Sequence, residues 1–294
     1  MLSFGEKLKE TKLTTELNVI VKGKVPGGLK KEIVHTLEEC YQHFSPKTPE
    51  KVEVQIVDKV ATMLDFLKEE KFRLGITTTG EEEFLCSHDA WRGFPRIIVC
   101  ADRLAKLKKL VRTGAIRHEA AHSALHGSLE YYIFPVSEEC HHLARINGVD
   151  PSILEQALYL ISVAVKDFEA TRYLVKHDYV KCQIAFALEI LQPSEEDKQV
   201  WKLARTRRQT RYLCEVALIK PILFTHPLLS LNNPKKISLQ QQVNLGRRVE
   251  TMIEYIEESE QKRLFQIIHN IVDGLTDDTH RNVNFALCQS LELL

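Results

Sequence analysis

The chain lacks an excess of either charge: its 294 residues carry 40 basic and 40 acidic side chains. That balance argues against bulk electrostatic binding to nucleic acid or to an anionic membrane. It also lacks any C-x-x-C pair, although it has seven cysteines, at 40, 86, 100, 140, 182, 214 and 288. An odd number without paired spacing predicts small buried thiols rather than a disulfide framework. The opening residues MLSFGEKLKETK hold no apolar signal core. No uninterrupted apolar run approaches the roughly 18 residues needed to span a bilayer. These absences predict a cytoplasmic protein with no membrane partner. A G-x-x-x-x-G-K-S/T phosphate loop and a G-x-S-x-G nucleophile elbow are both missing, so the commonest phosphate-cradle and serine-nucleophile signatures do not apply. No internal repeat and no low-complexity segment occurs. The 44% apolar content supports a sizeable core.

What is present is the run His118-Glu119-Ala120-Ala121-His122. Residues four apart share one face of a helix, so two imidazoles can aim at one metal ion. Glu119 is rotated about 100° from His118 and can reach a metal-activated water as general base. The context is helical, with apolar residues at 107, 110, 111, 115, 116, 121, 124 and 125 and Gly127 as a stop. His126 continues the four-residue spacing. Eight residues of helix rise about 12 Å, too far for His118 and His126 to share one ion. His126 is therefore expected to support a ligand or to cap the helix end. The neighbours Cys140, His141 and His142 form a second, weaker metal-like cluster, because adjacent side chains diverge on regular structure.

Along the chain, strands are expected at 15–22, 52–57, 72–78, 83–87 and 96–100, with helices at 29–44, 60–70 and 107–125. Residues 128–150 read as irregular. Helices follow at about 152–176, 178–191, 194–220, 238–258, 260–273 and 278–293. Gln192-Pro193-Ser194 marks a soft boundary, dividing a region 1–192 from a helical region 193–294. The two can equally form one domain. Arg205, Arg207, Arg208 and Arg211 read as a solvated helix face, balanced by Glu195-Glu196-Asp197.

A small sheet that feeds into an H-E-x-x-H helix resembles the zincin metallopeptidases. The resemblance covers roughly residues 50–176. It implies an α+β fold: a small mixed sheet plus active-site helix, followed here by a mainly helical C-terminal region. It implies Zn2+ as cofactor and a peptide or protein as substrate. It also implies that an edge strand, for which Pro95–Cys100 is the candidate, aligns the peptide by strand addition. Metzincins place a glycine before a third histidine, whereas here Gly127 follows His126. Gluzincins instead take an acidic third ligand from a later helix. The segment Lys166-Asp167-Phe168-Glu169-Ala170 is similar to the E-x-x-A-D helix of CAAX prenyl protease-like gluzincins. Aligned on Ala170, the ligand position falls on Asp167, with Thr171 at the family's second Asp. Asp167 shares an apolar face, expected to be buried, with Leu160, Val163, Ala164 and Leu174, and Glu169 shares a face, expected to be solvated, with Ser162, Lys166, Arg172 and Tyr173. Asp167 and Glu169 are rival third ligands, the latter also able to pair with Lys166 or Arg172. Tyr173, His177 and Tyr179 are candidates to stabilise an oxyanion.

The expected function is zinc-dependent peptide hydrolysis with Glu119 as general base and His118, His122 and an acid as ligands. Two rivals stand beside it: a non-catalytic helical interaction protein with a structural metal, and a metal-dependent hydrolase of a non-peptide amide.

Overall fold

The computed structural model describes residues 15–44, 47–73, 84–192 and 194–294. It is α+β, with one small mixed sheet and a mainly helical remainder. Strands β1 (Glu16–Lys22), β2 (Lys51–Val57), β3 (Cys86–Asp89) and β4 (Arg96–Cys100) lie in the order β1-β2-β4-β3. β1, β2 and β4 are parallel, and β3 runs antiparallel to β4. β4 is thus an interior strand with every residue buried. The expectation that Pro95–Cys100 is the peptide-aligning edge is corrected. On that side the edge is β3.

Both faces of the central strands are covered. Val52, Val54, Ile56, Ile97 and Val99 join the main core with Ile33 and Leu37 of α1 (Gly27–His43). Val57, Ile98 and Cys100 pack with Met63 of α2 (Val60–Arg73). Arg96, on the α2 side, is 1% exposed and forms paired hydrogen bonds to Glu70 (2.6 Å each) and to Asp89 (2.7 and 3.1 Å). A buried guanidinium persists only when its donors are matched in this way. The matches tie α2 to the β3–β4 hairpin. Phe72, expected in a strand, belongs to α2, and residues 74–83 lie outside the described residues.

After β4 the chain forms α3 (Ala101–Ala105) and α4 (Lys109–Leu125), two helices where one was expected. α4 is exposed at its first two residues and mostly buried from Gly114 to Ser123. Gly114 permits this, since a Cβ there would lie 2.3 Å from the carbonyl oxygen of Cys182. The 128–150 stretch is not irregular as expected. It holds a 3-10 turn, Leu129–Tyr132, and α5 (Glu138–Ile146), capped by Ser137. α6 (Pro151–Lys176), α7 (Val180–Ile190), α8 (Glu195–Ala204) and α9 (Arg208–Leu229) follow. The single helix expected at 194–220 is two, and α9 runs on through Pro221 and Pro227. α10 (Leu239–Ile253), α11 (Glu258–Gly274) and α12 (Thr279–Ser290) complete the chain.

One contiguous apolar core includes residues from both sides of position 192. α9 packs along α6. It is long and apolar enough to cross a membrane, and 56% of that apolar window is buried inside this fold, as in a core helix. Cys140 and Cys288 form a disulfide joining α5 to the end of α12. The expectation of small buried thiols is corrected for this pair, while Cys40, Cys86, Cys100, Cys182 and Cys214 are free. The disulfide also removes the Cys140-His141-His142 cluster as a metal site, because the thiolate it needs is absent.

Candidate metal centre

α4 and α6 cross so that three ligand atoms converge. His118 Nε2 lies 3.1 Å from His122 Nε2. Asp167 Oδ1 lies 3.1 Å from His122 Nε2 and 3.5 Å from His118 Nε2. A tetrahedral metal with bonds of about 2.0–2.1 Å separates its ligands by about 3.3 Å. The three observed spacings bracket that edge, and these residues form a group able to hold a metal ion. Two neutral imidazole lone pairs facing each other at this distance need a proton or a cation between them. Burial drives His122 down to about 3 against the opposing pull of the Asp167 carboxylate, so its ring is neutral and available as a ligand.

The other rival acid is engaged elsewhere. Glu169 Oε2 accepts from His126 Nε2 at 2.9 Å and from Thr279 Oγ1 at 2.8 Å. Its Oε1 accepts from Asn282 Nδ2 at 2.7 Å. Glu169 is 6% exposed, so the solvated face inferred from its helical neighbours is corrected: α12 covers it. Burial pushes its carboxyl up, but His126, Asn282 and Thr279 outweigh burial and hold it below its usual value. His126 in turn sits 3.2 Å, Nδ1 to Nδ1, from His122. His126 is therefore joined to the triad through His122.

Asp167 carries a second partner. Lys220 Nζ of α9 lies 3.4 Å from its Oδ2. Burial works to raise the Asp167 pKa, yet Lys220 and the two imidazoles hold it well below the ordinary carboxylate range. Glu119 is buried beside the group, and its charge bears on Cys86 of β3 and on the Tyr132 phenol. Burial lifts its carboxyl to about 7, with His118 opposing and Asp167 adding to the shift. A carboxylate poised near neutrality suits general base work.

Four further polar residues surround the group. The His88 ring stacks parallel to His122 with centroids 6.1 Å apart. The Tyr132 hydroxyl lies 3.1 Å from His88 Nδ1, and the Lys166 ammonium sits 4.4 Å from the Tyr132 ring centre. Lys220 is the fourth. Lys166 was read from the sequence only as a pairing partner of Glu169, and Lys220 had a local signal as a cation inside the otherwise apolar run 216–224. The oxyanion candidates do not join the site. The Tyr173 hydroxyl donates to Phe44 O, and the His177 ring bonds Tyr173 O. Tyr179 packs under Arg117, with the guanidinium 4.1 Å from its ring centre. No protein-family model matches this chain, and no curated protein sequence or solved structure does either.

Proposed function

We propose that this protein is a zincin-like zinc hydrolase of amide bonds, with a peptide or protein as the first substrate to test. The observation that carries this reading is the set of ligand-atom spacings, 3.1, 3.1 and 3.5 Å among His118, His122 and Asp167. Two imidazoles and one carboxylate form a donor set typical of catalytic zinc, which keeps three protein ligands and leaves a fourth position open. His118 Nε2, His122 Nε2 and Asp167 Oδ1 would hold the ion. Zinc there supplies Lewis acidity and makes water acidic enough to ionise near neutral pH. Glu119 takes the proton from the attacking water and passes it to the leaving amine. The His122–His126–Glu169 chain keeps His122 in the tautomer that leaves Nε2 free.

A second reading has its own support. His118 is only 5% exposed, and the rings of Phe186 and Phe224 lie 5.7 and 5.3 Å from it. Such cover favours a structural metal in a helical interaction protein. Three ligands rather than four among the described residues, with a buried carboxylate alongside, weigh toward catalysis.

The test measures metal content and hydrolysis of a mixed peptide library for the wild type, His118→Ala and Glu119→Gln. The expected result is about one zinc per wild-type chain, lost in His118→Ala. Glu119→Gln keeps the metal and loses cleavage. A wild type that takes up no added zinc overturns the reading. A zinc-bound wild type that cleaves no peptide or other amide leaves the structural alternative.

A further inference from the structure

A cavity of about 390 Å³ opens between α6, α7, α8, α9 and the end of α10. It falls within the size range of small-molecule sites. Its lining is mainly apolar, with Trp201, Leu218, Phe224, Met252 and Tyr255 prominent, and its charged members are Asp167, Asp197 and Lys220. Trp201, Leu218 and Phe224 are buried, whereas Val200 and Ala217 on its rim are exposed. The shape is therefore an open-sided trench.

Its position is specific. One end holds Asp167, Lys220 and Phe224. Asp167 is a candidate metal ligand, and the Phe224 ring stands edge-on to His118 at 5.3 Å. Its lining on α9 runs from Cys214 to Phe224, ten residues or about 15 Å at 1.5 Å per residue. A peptide backbone laid into it would lose hydrogen bonds to water along an apolar lining, a cost of about 1–3 kcal/mol per unpaired group. A hydrocarbon chain incurs no such cost.

We infer that the trench receives the aliphatic chain of an acyl group, and that the substrate is an amide of a medium-chain fatty acid. The inference rests on the hydrolase reading and narrows its substrate class. The carbonyl would sit at the Asp167 end beside the triad. Water adds its oxygen to the carbonyl carbon, the C–N bond breaks, and the products are the carboxylate and the protonated amine. Lys220 then stands next to the newly formed carboxylate, where its charge complements it.

The test compares acetohydroxamate with octanohydroxamate on the zinc-loaded protein by calorimetry. Each buried methylene is worth about fourfold in affinity, so octanohydroxamate is expected to bind at least a hundredfold tighter. Ala217→Trp fills the trench from its rim and should reduce that ratio below tenfold. Val200→Trp, on the opposite rim, repeats the test if the first variant does not fold. Equal affinity for the two hydroxamates, or an unchanged ratio in a folded rim variant, overturns the inference. If the protein takes up no zinc, the hydrolase reading fails by itself, and octanoate against acetate on the metal-free protein tests the trench separately. Octanoate binding that is lost in the rim variants supports a chain site. No octanoate binding overturns it.

Discussion

His122 Nδ1 lies 3.2 Å from His126 Nδ1, so one imidazole must donate to the other. Glu169 decides which. It accepts from His126 Nε2, which places a proton on Nε2 and leaves His126 Nδ1 as acceptor. His122 then donates from Nδ1 and presents the Nε2 lone pair toward Asp167 and His118. The third histidine of the run sets the tautomer of the second.

This relationship ranks the two acids. Asp167→Ala removes a ligand and is expected to abolish zinc binding. Glu169→Ala leaves the His126 N–H unmatched and is expected to weaken zinc by about 10–100-fold. Glu169→Gln should cost less, because its amide oxygen still accepts. Competition titrations with a zinc-sensitive dye measure all three. Zinc retained in Asp167→Ala and lost in Glu169→Ala would reverse the assignment.

Metal binding should also appear as stability. A ligand present at a thousand times its dissociation constant stabilises by about 4 kcal/mol. Thermal unfolding with added zinc against chelator should therefore show a rise of several degrees in the wild type. His118→Ala and Asp167→Ala should show none, and Glu119→Gln should keep the rise. A shift of equal size in His118→Ala would mean that zinc binds elsewhere.

The helix with the two candidate histidine ligands and the acidic helix were legible in the sequence because both rest on local spacing. Positions 118 and 122 share a helix face, and Asp167 sits on the apolar face of α6. Long-range cover was not legible. Glu169 reads as solvated because its helical neighbours are Lys166 and Arg172, and only the arrival of Thr279 and Asn282 from α12 buries it. The sheet shows the same division. The VEVQIV alternation marks a strand, yet every residue from Val52 to Val57 is buried, since α2 covers the side that the polar residues face. The position of β4 inside the sheet depends on β3, a four-residue strand whose pairing partner lies beyond its own sequence pattern. The Cys140–Cys288 bridge spans 148 positions, which no local spacing reports.

That bridge makes its own prediction. It closes a long loop, and loss of such a cross-link typically costs about 2–5 kcal/mol. Cys288→Ser, or treatment with a thiol reductant, should lower the urea midpoint by a corresponding amount. Zinc affinity should fall by less, because Thr279 and Asn282 still reach Glu169 from the other end of α12. An unchanged midpoint under reductant would show that the bridge contributes little to folding in solution.

Acid dependence of stability should arise outside the candidate metal centre, at Glu260. Burial, with a hydrogen bond to Glu257 and the charges of Glu257 and Glu215, lifts its carboxyl from 4.5 to about 7, with Arg211 opposing. A raised carboxyl means that the folded state holds a proton the unfolded chain has released. Its contribution to stability is fully present below pH 4.5 and is lost as pH rises through about 7. Glu257 is shifted the other way, downward through its hydrogen bond with Glu260, so its window lies below 4.5 and does not affect the higher range. Glu260→Gln copies the protonated form. It should leave the melting temperature at pH 5 nearly unchanged and raise it at pH 8 by about 2 °C or more. Equal effects at both pH values would show that Glu260 titrates normally in the folded protein, and that the Glu257 pair does not hold its proton.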